Sequence, residues 1–108
     1  MRGMAKRQES KAARERKDDQ IREIDRAARA KALLENPMLV SAFQALEGHY
    51  LGVILNSAED DAAARETAFR MVRASAKLKQ ALTKMIESGD FSMIAREQDR
   101  KQRAADRD

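Results

Sequence analysis

The chain contains no cysteine, one proline, one histidine and four glycines among its 108 residues. Without cysteine it has neither a disulfide nor a thiolate metal ligand, which fits a reducing cytosol. A single histidine leaves few groups from which to build a nucleophile and its base, and no glycine-rich phosphate loop is present. We therefore expect a protein that is not an enzyme and that has no catalytic residue, cofactor or metal.

Two groups of polar residues have simple structural explanations. His49 falls on the flank of a predicted helix, where a lone histidine is typically structural. Glu59, Asp60 and Asp61 lack the ligand spacing of a calcium loop. Acidic residues are favoured at the positive end of a helix dipole, so we interpret them as capping residues.

Large apolar side chains are scarce at both ends of the chain. Between Met4 and Lys31 the only large aliphatic residues are Ile21 and Ile24, whereas nearly all the others lie from Leu33 to Ile94. The N-terminus lacks the apolar region of a secretory signal, and no uninterrupted apolar run approaches the roughly 18 residues of a membrane span. The prediction is a soluble, intracellular protein that does not bind membranes.

Proline, glycine and capping residues predict where helices begin and end. Asn36-Pro37 predicts a helix start, Ser57 predicts another with Asp60 as its capping-box acid, and Gly89 predicts a left-handed helix end. The intervening residues favour helix, and nothing alternates with period two. We expect an all-α fold with four helices at residues 5–35, 37–56, 58–88 and 91–104.

The predicted organisation has three parts. Residues 1–32 form a basic, charged helical arm, residues 33–88 form the core, and residues 89–108 form a short helix with a charged tail. In the core, the second and third helices pair as a central antiparallel hairpin.

The second predicted helix has an apolar arc wider than one packing partner needs, and this predicts a homo-oligomer. The predicted interface consists of Val40, Glu47, Leu51, Ile54 and Leu55. Glu47 has two interpretations. It forms an ion pair at the edge of the core, with Arg65 or Arg70 as its nearest basic partner, or it is a polar group that fixes a subunit interface.

Positive charge is spread unevenly over the chain, whose net charge is +4. Residues 1–17 carry seven basic and two acidic residues, a net charge of +5, so the remainder carries −1. A second basic surface is predicted opposite the apolar face of the third helix. Cations along a helix can contact successive phosphates, and such contacts give salt-dependent, mostly sequence-independent affinity for nucleic acid. The alternative interpretation of these residues is a solvated helix surface and a solubilising arm. The candidate nucleic-acid-binding residues are Arg2, Lys6, Arg7, Lys11, Arg14, Arg16 and Lys17 in the arm, and Arg70, Arg73, Lys77 and Lys84 in the third helix.

Residues 31–89 also carry a pattern of core and capping residues. The stretch from Ala32 to Leu39, the run from Ala42 to Glu47, and Tyr50 are followed by Asp61, Arg65-Glu66, Leu78-Lys79, Leu82 and the run from Ile86 to Gly89. This pattern resembles small helical proteins encoded among the head and DNA-packaging genes of tailed bacteriophages. Proteins of this size among them include small terminase subunits, which are helical, oligomeric and DNA-binding. The chain lacks the N-terminal helix-turn-helix usual in those subunits.

Taken together, charge and resemblance predict a non-enzymatic phage-type assembly or DNA-packaging protein. We expect it to oligomerise through its hairpin and to bind nucleic acid, DNA being the favoured form, in the cytoplasm of a bacterial host cell or with the virion. One alternative is a purely protein-binding scaffold, head-joining or decoration component that docks on an acidic surface. Another is a small inhibitor or regulator of a host enzyme. No small-molecule substrate is expected.

Overall fold

The computed structural model describes residues 2–107, and it describes the side chains of residues 10–107. Within that range every regular element is an α-helix. Helix α1 spans Arg2–Glu35, α2 spans Pro37–Asn56 and α3 spans Ala62–Arg107. The all-α prediction is confirmed, but three helices take the place of the four predicted.

Asn36 separates α1 from α2 as its sequence context predicts. Its backbone is extended, and its side-chain oxygen accepts hydrogen bonds from the N–H groups of Met38, at 2.9 Å, and Leu39, at 3.4 Å. Pro37 occupies the first helical position, where a missing N–H costs nothing. The predicted helix start is therefore confirmed.

The predicted start of a helix at Ser57 is wrong. Ser57 instead ends α2, because its backbone N–H donates to the carbonyl oxygen of Val53 at 3.0 Å. The next helix begins four residues later than predicted, and its cap is Asp61 rather than Ser57. The Asp61 carboxylate accepts a hydrogen bond from the N–H of Ala64 at 3.2 Å.

Arg65 holds the connection between α2 and α3. Its guanidinium donates to the carbonyl oxygens of Ala58, at 2.7 Å, and Glu59, at 2.9 Å, and to the Ser57 hydroxyl at 3.1 Å. These bonds satisfy carbonyl groups that no helix uses. They also occupy Arg65, which had been a predicted partner of Glu47.

The predicted helix end at Gly89 is also wrong, and the separate short C-terminal helix does not exist. Helix α3 runs unbroken through this position, and no described glycine has a positive φ. A Cβ atom at residue 89 would lie 2.1 Å from the Cβ of Ala27 and 3.1 Å from the Glu23 carbonyl oxygen. Glycine here allows α1 and α3 to approach closely, which offsets its cost of about 1 kcal/mol in a helix relative to alanine.

The chain divides into two compact units, and the first contains both charged ends. It comprises the described parts of Met1–Arg29 and Met85–Asp108. Ala27 meets Gly89, and the buried hydroxyl of Ser92 donates a hydrogen bond to the Glu23 carboxylate, so the two helices run antiparallel. The arm and the tail, predicted as separate parts, pack against each other in this unit.

The second unit is Ala30–Lys84 and contains α2 with the first half of α3. Near the connection, Tyr50 and Val53 of α2 border a small hollow with Ala64 and Ala68 of α3. Further from the connection, the Lys79 side chain reaches Glu47.

Small residues occupy the best-buried positions of both units. Among the described side chains these positions are Ala30, Ala68, Ser75, Gly89 and Ser92. Between residues 10 and 107 no large side chain is fully buried. The helices therefore meet through small side chains, and many of their large apolar side chains stay exposed.

Candidate nucleic-acid and self-association surfaces

The predicted basic residues of α3 all lie on its exposed surface. Arg70, Arg73, Lys77 and Lys84 are exposed, and one unbroken helix places them over about 21 Å at 1.5 Å per residue. No acidic residue occurs between Glu66 and Glu87. We call these four residues the α3 basic face.

Two of these four cations have neighbours within the helix. Arg70 pairs with Glu66 at 2.7 Å, and Arg73 lies over the Phe69 ring at 5.9 Å from its centroid. An exposed pair of this kind contributes only a few tenths of a kcal/mol, so an incoming phosphate competes with it easily. Lys77 and Lys84 form no ion pair with any side chain between residues 10 and 107.

The predicted basic residues of the arm separate into two sets. Arg2, Lys6 and Arg7 lie outside the residues whose side chains are described. Lys11, Arg14, Arg16 and Lys17 are all exposed on α1. Of these four, Arg16 and Lys17 line a groove against α3, and Lys11 and Arg14 do not.

The groove lies between α1 and the last part of α3 and has a volume of about 790 Å³. Among the residues whose side chains are described, its lining includes two acidic residues, Glu97 and Asp99. The basic residues of the lining are Arg16, Lys17, Arg96, Arg100, Arg103 and Arg107. We call this the basic groove.

Sequence reasoning missed the four tail arginines of the basic groove. Residues 89–108 hold five acidic and five basic residues, so the net charge of the tail is zero and does not indicate a basic surface. The signal that was available is spacing. Arg96, Arg100, Arg103 and Arg107 are separated by four, three and four residues, which places all four on one face of a helix.

The residues of the predicted oligomer interface lie on α2, none of whose residues is buried. Val40, Leu51 and Leu55 are 39%, 54% and 72% exposed. Helical spacing places these three on one side, which we call the α2 apolar face. Ile54 is half-buried at its edge.

Glu47 forms an ion pair, but not with the predicted Arg65 or Arg70. Its carboxylate lies 2.6 Å from Nζ of Lys79, and both side chains are about 40% exposed. The same ammonium lies 5.0 Å from the centroid of the Phe43 ring. Lys79 could have been found from its spacing, because it shares a stripe of positions three and four apart with Ser75 and Leu82.

Helix α2 is, within the described range, the one helix long and apolar enough to cross a membrane by length and composition. It has 20 residues and a mean hydropathy of 1.3 in its best 18-residue window. A search for uninterrupted apolar runs misses it because Glu47 and His49 interrupt the sequence. An apolar core helix of a soluble protein satisfies the same test, so the property is weak evidence for a membrane.

Neither His49 nor the acidic loop forms a constellation suited to catalysis or metal binding in the part of the chain whose side chains are described. His49 is exposed, and its ring meets that of Tyr50 edge-on at a centroid distance of 5.0 Å. No group of three His, Cys, Asp or Glu residues there could hold a metal ion. Asp61 caps α3, whereas Glu59 contributes its backbone carbonyl to Arg65.

No family model matches the chain, and neither a curated protein nor a solved structure matches it.

Proposed function

We propose that this chain is a non-enzymatic, self-associating protein that binds nucleic acid through basic helix surfaces, in phage-type assembly or DNA packaging. The assembly setting rests on the sequence resemblance alone. Binding and self-association rest on the surfaces described above. DNA is the favoured nucleic acid.

The observation that best supports nucleic-acid binding is the positive charge of the α3 surface. Five basic residues and no acidic residue lie between Glu66 and Glu87. Four of them form the α3 basic face, over a length equal to about six base pairs at 3.4 Å each. Cations on a regular helix contact phosphates without reading bases, so the proposal predicts salt-dependent binding with little sequence preference.

Self-association is supported by the apolar surface that the chain leaves exposed. An oligomer formed through α2, as the antiparallel hairpin suggests, would cover Leu51 and Leu55 and bring two or more basic surfaces together. Repeated basic surfaces on one particle raise the effective affinity for a long polyanion, because the second contact becomes intramolecular.

Replacing three residues of the α3 basic face tests the binding step. The slope of log affinity against log salt is negative, and the variant R70Q/R73Q/K77Q should reduce its magnitude by about 2.7, the value for three lost phosphate contacts on duplex DNA. Fluorescence anisotropy with a labelled duplex between about 50 and 200 mM salt measures that slope.

A matched control removes three charges elsewhere. Arg26, Lys31 and Lys101 are exposed, lie outside the α3 basic face and the basic groove, and form no ion pair with another described side chain. The variant R26Q/K31Q/K101Q should keep most of the affinity. Weak binding by the wild type that ignores salt would contradict the proposal, as would equal losses in the two variants.

A second function, a purely protein-binding scaffold, head-joining or decoration component, is favoured by the exposed α2 apolar face. In that case the basic arm would dock on an acidic capsid or portal surface. Light scattering with and without DNA separates the two functions, since a scaffold self-associates but shows no change of mass with DNA. A small inhibitor or regulator of a host enzyme would be a monomer that ignores DNA.

A further inference from the structure

The basic groove joins two segments whose charges are unrelated in the sequence. Ala27 lies level with Gly89, and Glu23 lies level with Ser92. Because the helices are antiparallel, continuing this register places Arg16 level with Arg100. Arginines from the arm and from the tail therefore face each other across one groove.

Among the described side chains, the cations of the groove outnumber its acidic residues. Glu97 pairs with Arg100 at 2.6 Å and Asp99 pairs with Arg103 at 3.0 Å, which uses both acidic residues of the described lining. Arg16, Lys17 and Arg96 form no ion pair with any side chain in residues 10–107. Like charges held together in a cleft concentrate a positive potential there, and a bound anion relieves their repulsion.

The length and the floor of the groove decide which anion fits. From Arg96 to Arg107 the arginines extend over about 16 Å of helix, which is longer than one phosphate group. Ile24 and Met93 form part of the floor, and no aromatic side chain lines it. A strand held here would be bound by its phosphates, because stacking of bases needs aromatic platforms.

We propose that the basic groove binds one phosphodiester strand of a nucleic acid through successive phosphates, and that the arm and the tail must both contribute. This inference rests on the proposed nucleic-acid binding and deepens it. It gives the tail, which is neutral in total, a role in recognition. The strand comes from either a duplex or a single-stranded nucleic acid, and the two sources are separated by experiment.

The test uses the full-length chain and three variants that each remove three positive charges. The groove variant is R16Q/K17Q/R96Q, and it is compared with R70Q/R73Q/K77Q and with the control R26Q/K31Q/K101Q. With duplex DNA, the groove variant should lose about 2.7 from the salt slope and up to about 500-fold in affinity at 0.1 M salt, the counterion-release contribution of three phosphates. With a single-stranded oligonucleotide of the same length, the expected loss of slope is about 2.1.

Two further variants keep the result interpretable if Arg96 is needed for packing. R16Q/K17Q changes only exposed residues of α1. It should reduce the magnitude of the salt slope by about 1.8, two-thirds of the change expected for the groove variant. R16K/R96K keeps every positive charge and should bind within a few-fold of the wild type. Circular dichroism checks that all variants retain their helix content.

The outcomes separate this inference from the proposed function. If the wild type binds neither nucleic acid, both fail. If R70Q/R73Q/K77Q loses affinity while R16Q/K17Q/R96Q behaves like the control on duplex and single strand alike, the groove inference alone is overturned. If the groove variant loses affinity for only one of the two nucleic acids, duplex or single-stranded, that nucleic acid is the source of the bound strand. Competition by polyglutamate as effective as that by the oligonucleotide would show an acidic-protein site and would also overturn the inference.

Discussion

Removing the two most exposed leucines of the α2 apolar face should dissociate the proposed oligomer. We chose L51Q/L55Q because glutamine suits a helix about as well as leucine does and adds no charge. The substitutions leave every basic residue unchanged, so any effect on the mass of the particle in solution comes from the apolar surface.

The size of the effect follows from the exposed fractions of the two side chains. Full burial of a leucine contributes about 1.5–3 kcal/mol. With 54% and 72% still exposed, covering both leucines contributes about 2–4 kcal/mol for each copy. In a twofold dimer both copies contribute, which gives about 4–8 kcal/mol.

That energy predicts a large change in the dissociation constant. At about 1.4 kcal/mol for each factor of ten, complete coverage corresponds to roughly three to six powers of ten. If the partner covers only half of the exposed area, the dissociation constant still rises by about 30-fold to nearly 1,000-fold. With either value, an oligomer whose dissociation constant is micromolar in the wild type would be mostly monomeric at micromolar protein concentration.

Light scattering and sedimentation over a concentration series measure this change. The matched control is A45Q/H49Q, which places two glutamines at exposed positions of α2 outside the α2 apolar face. L51Q/L55Q should be monomeric where the control and the wild type are not, with the same helix content by circular dichroism. An unchanged mass for L51Q/L55Q would refute the assignment of this face, and a monomeric wild type would refute self-association itself.

Two further predictions concern the stability of the helix contacts. Ser75→Ala should raise the free energy of unfolding by about 1 kcal/mol, since the buried Ser75 hydroxyl has no hydrogen-bond partner in the described part of the chain; a fall in melting temperature would contradict this. Gly89→Ala should lower stability by about 1 kcal/mol, because an overpacking cost of about 1–3 kcal/mol exceeds the helix preference of alanine. Adding Ala27→Gly should recover part of that loss in a double-mutant cycle, whereas a simple helix-end role for Gly89 predicts no coupling between the two residues.

Local rules predicted the parts of this fold that local energies decide. Asn36-Pro37 specifies a helix start through one side-chain oxygen and one fixed φ angle, and the structure has both. Gly89 satisfies an equally good local rule for a helix end, yet the helix continues. The deciding energy there is the close approach to Ala27, 62 residues earlier in the sequence, and no local pattern reports that contact.

The candidate surfaces show the same division between local and long-range information. The exposure of Arg70, Arg73 and Lys77 follows from their position opposite an apolar stripe, so the sequence predicts it. The basic groove depends on an antiparallel register between the arm and the tail, and summing the charge of each segment conceals it. Lys79 was missed as the partner of Glu47 because the predicted hairpin register placed Arg65 and Arg70 nearest to Glu47, whereas Lys79 lies nine residues beyond Arg70 along α3.

The small residues between the helices and the apolar residues on the outside have one physical cause. A helix pair that meets through Ala27 and Gly89 brings its backbones close, so no space remains between them for leucine or isoleucine side chains. Large apolar side chains near that contact stay exposed instead: Phe91 is 73% exposed and Ile94 is 55% exposed. Filling the contact with larger residues would cover more apolar surface within one chain, but it would separate α1 from α3 and move Arg16 away from Arg100. On this argument the exposed apolar side chains near Gly89 and the basic groove arise together, because both follow from the close approach of α1 and α3.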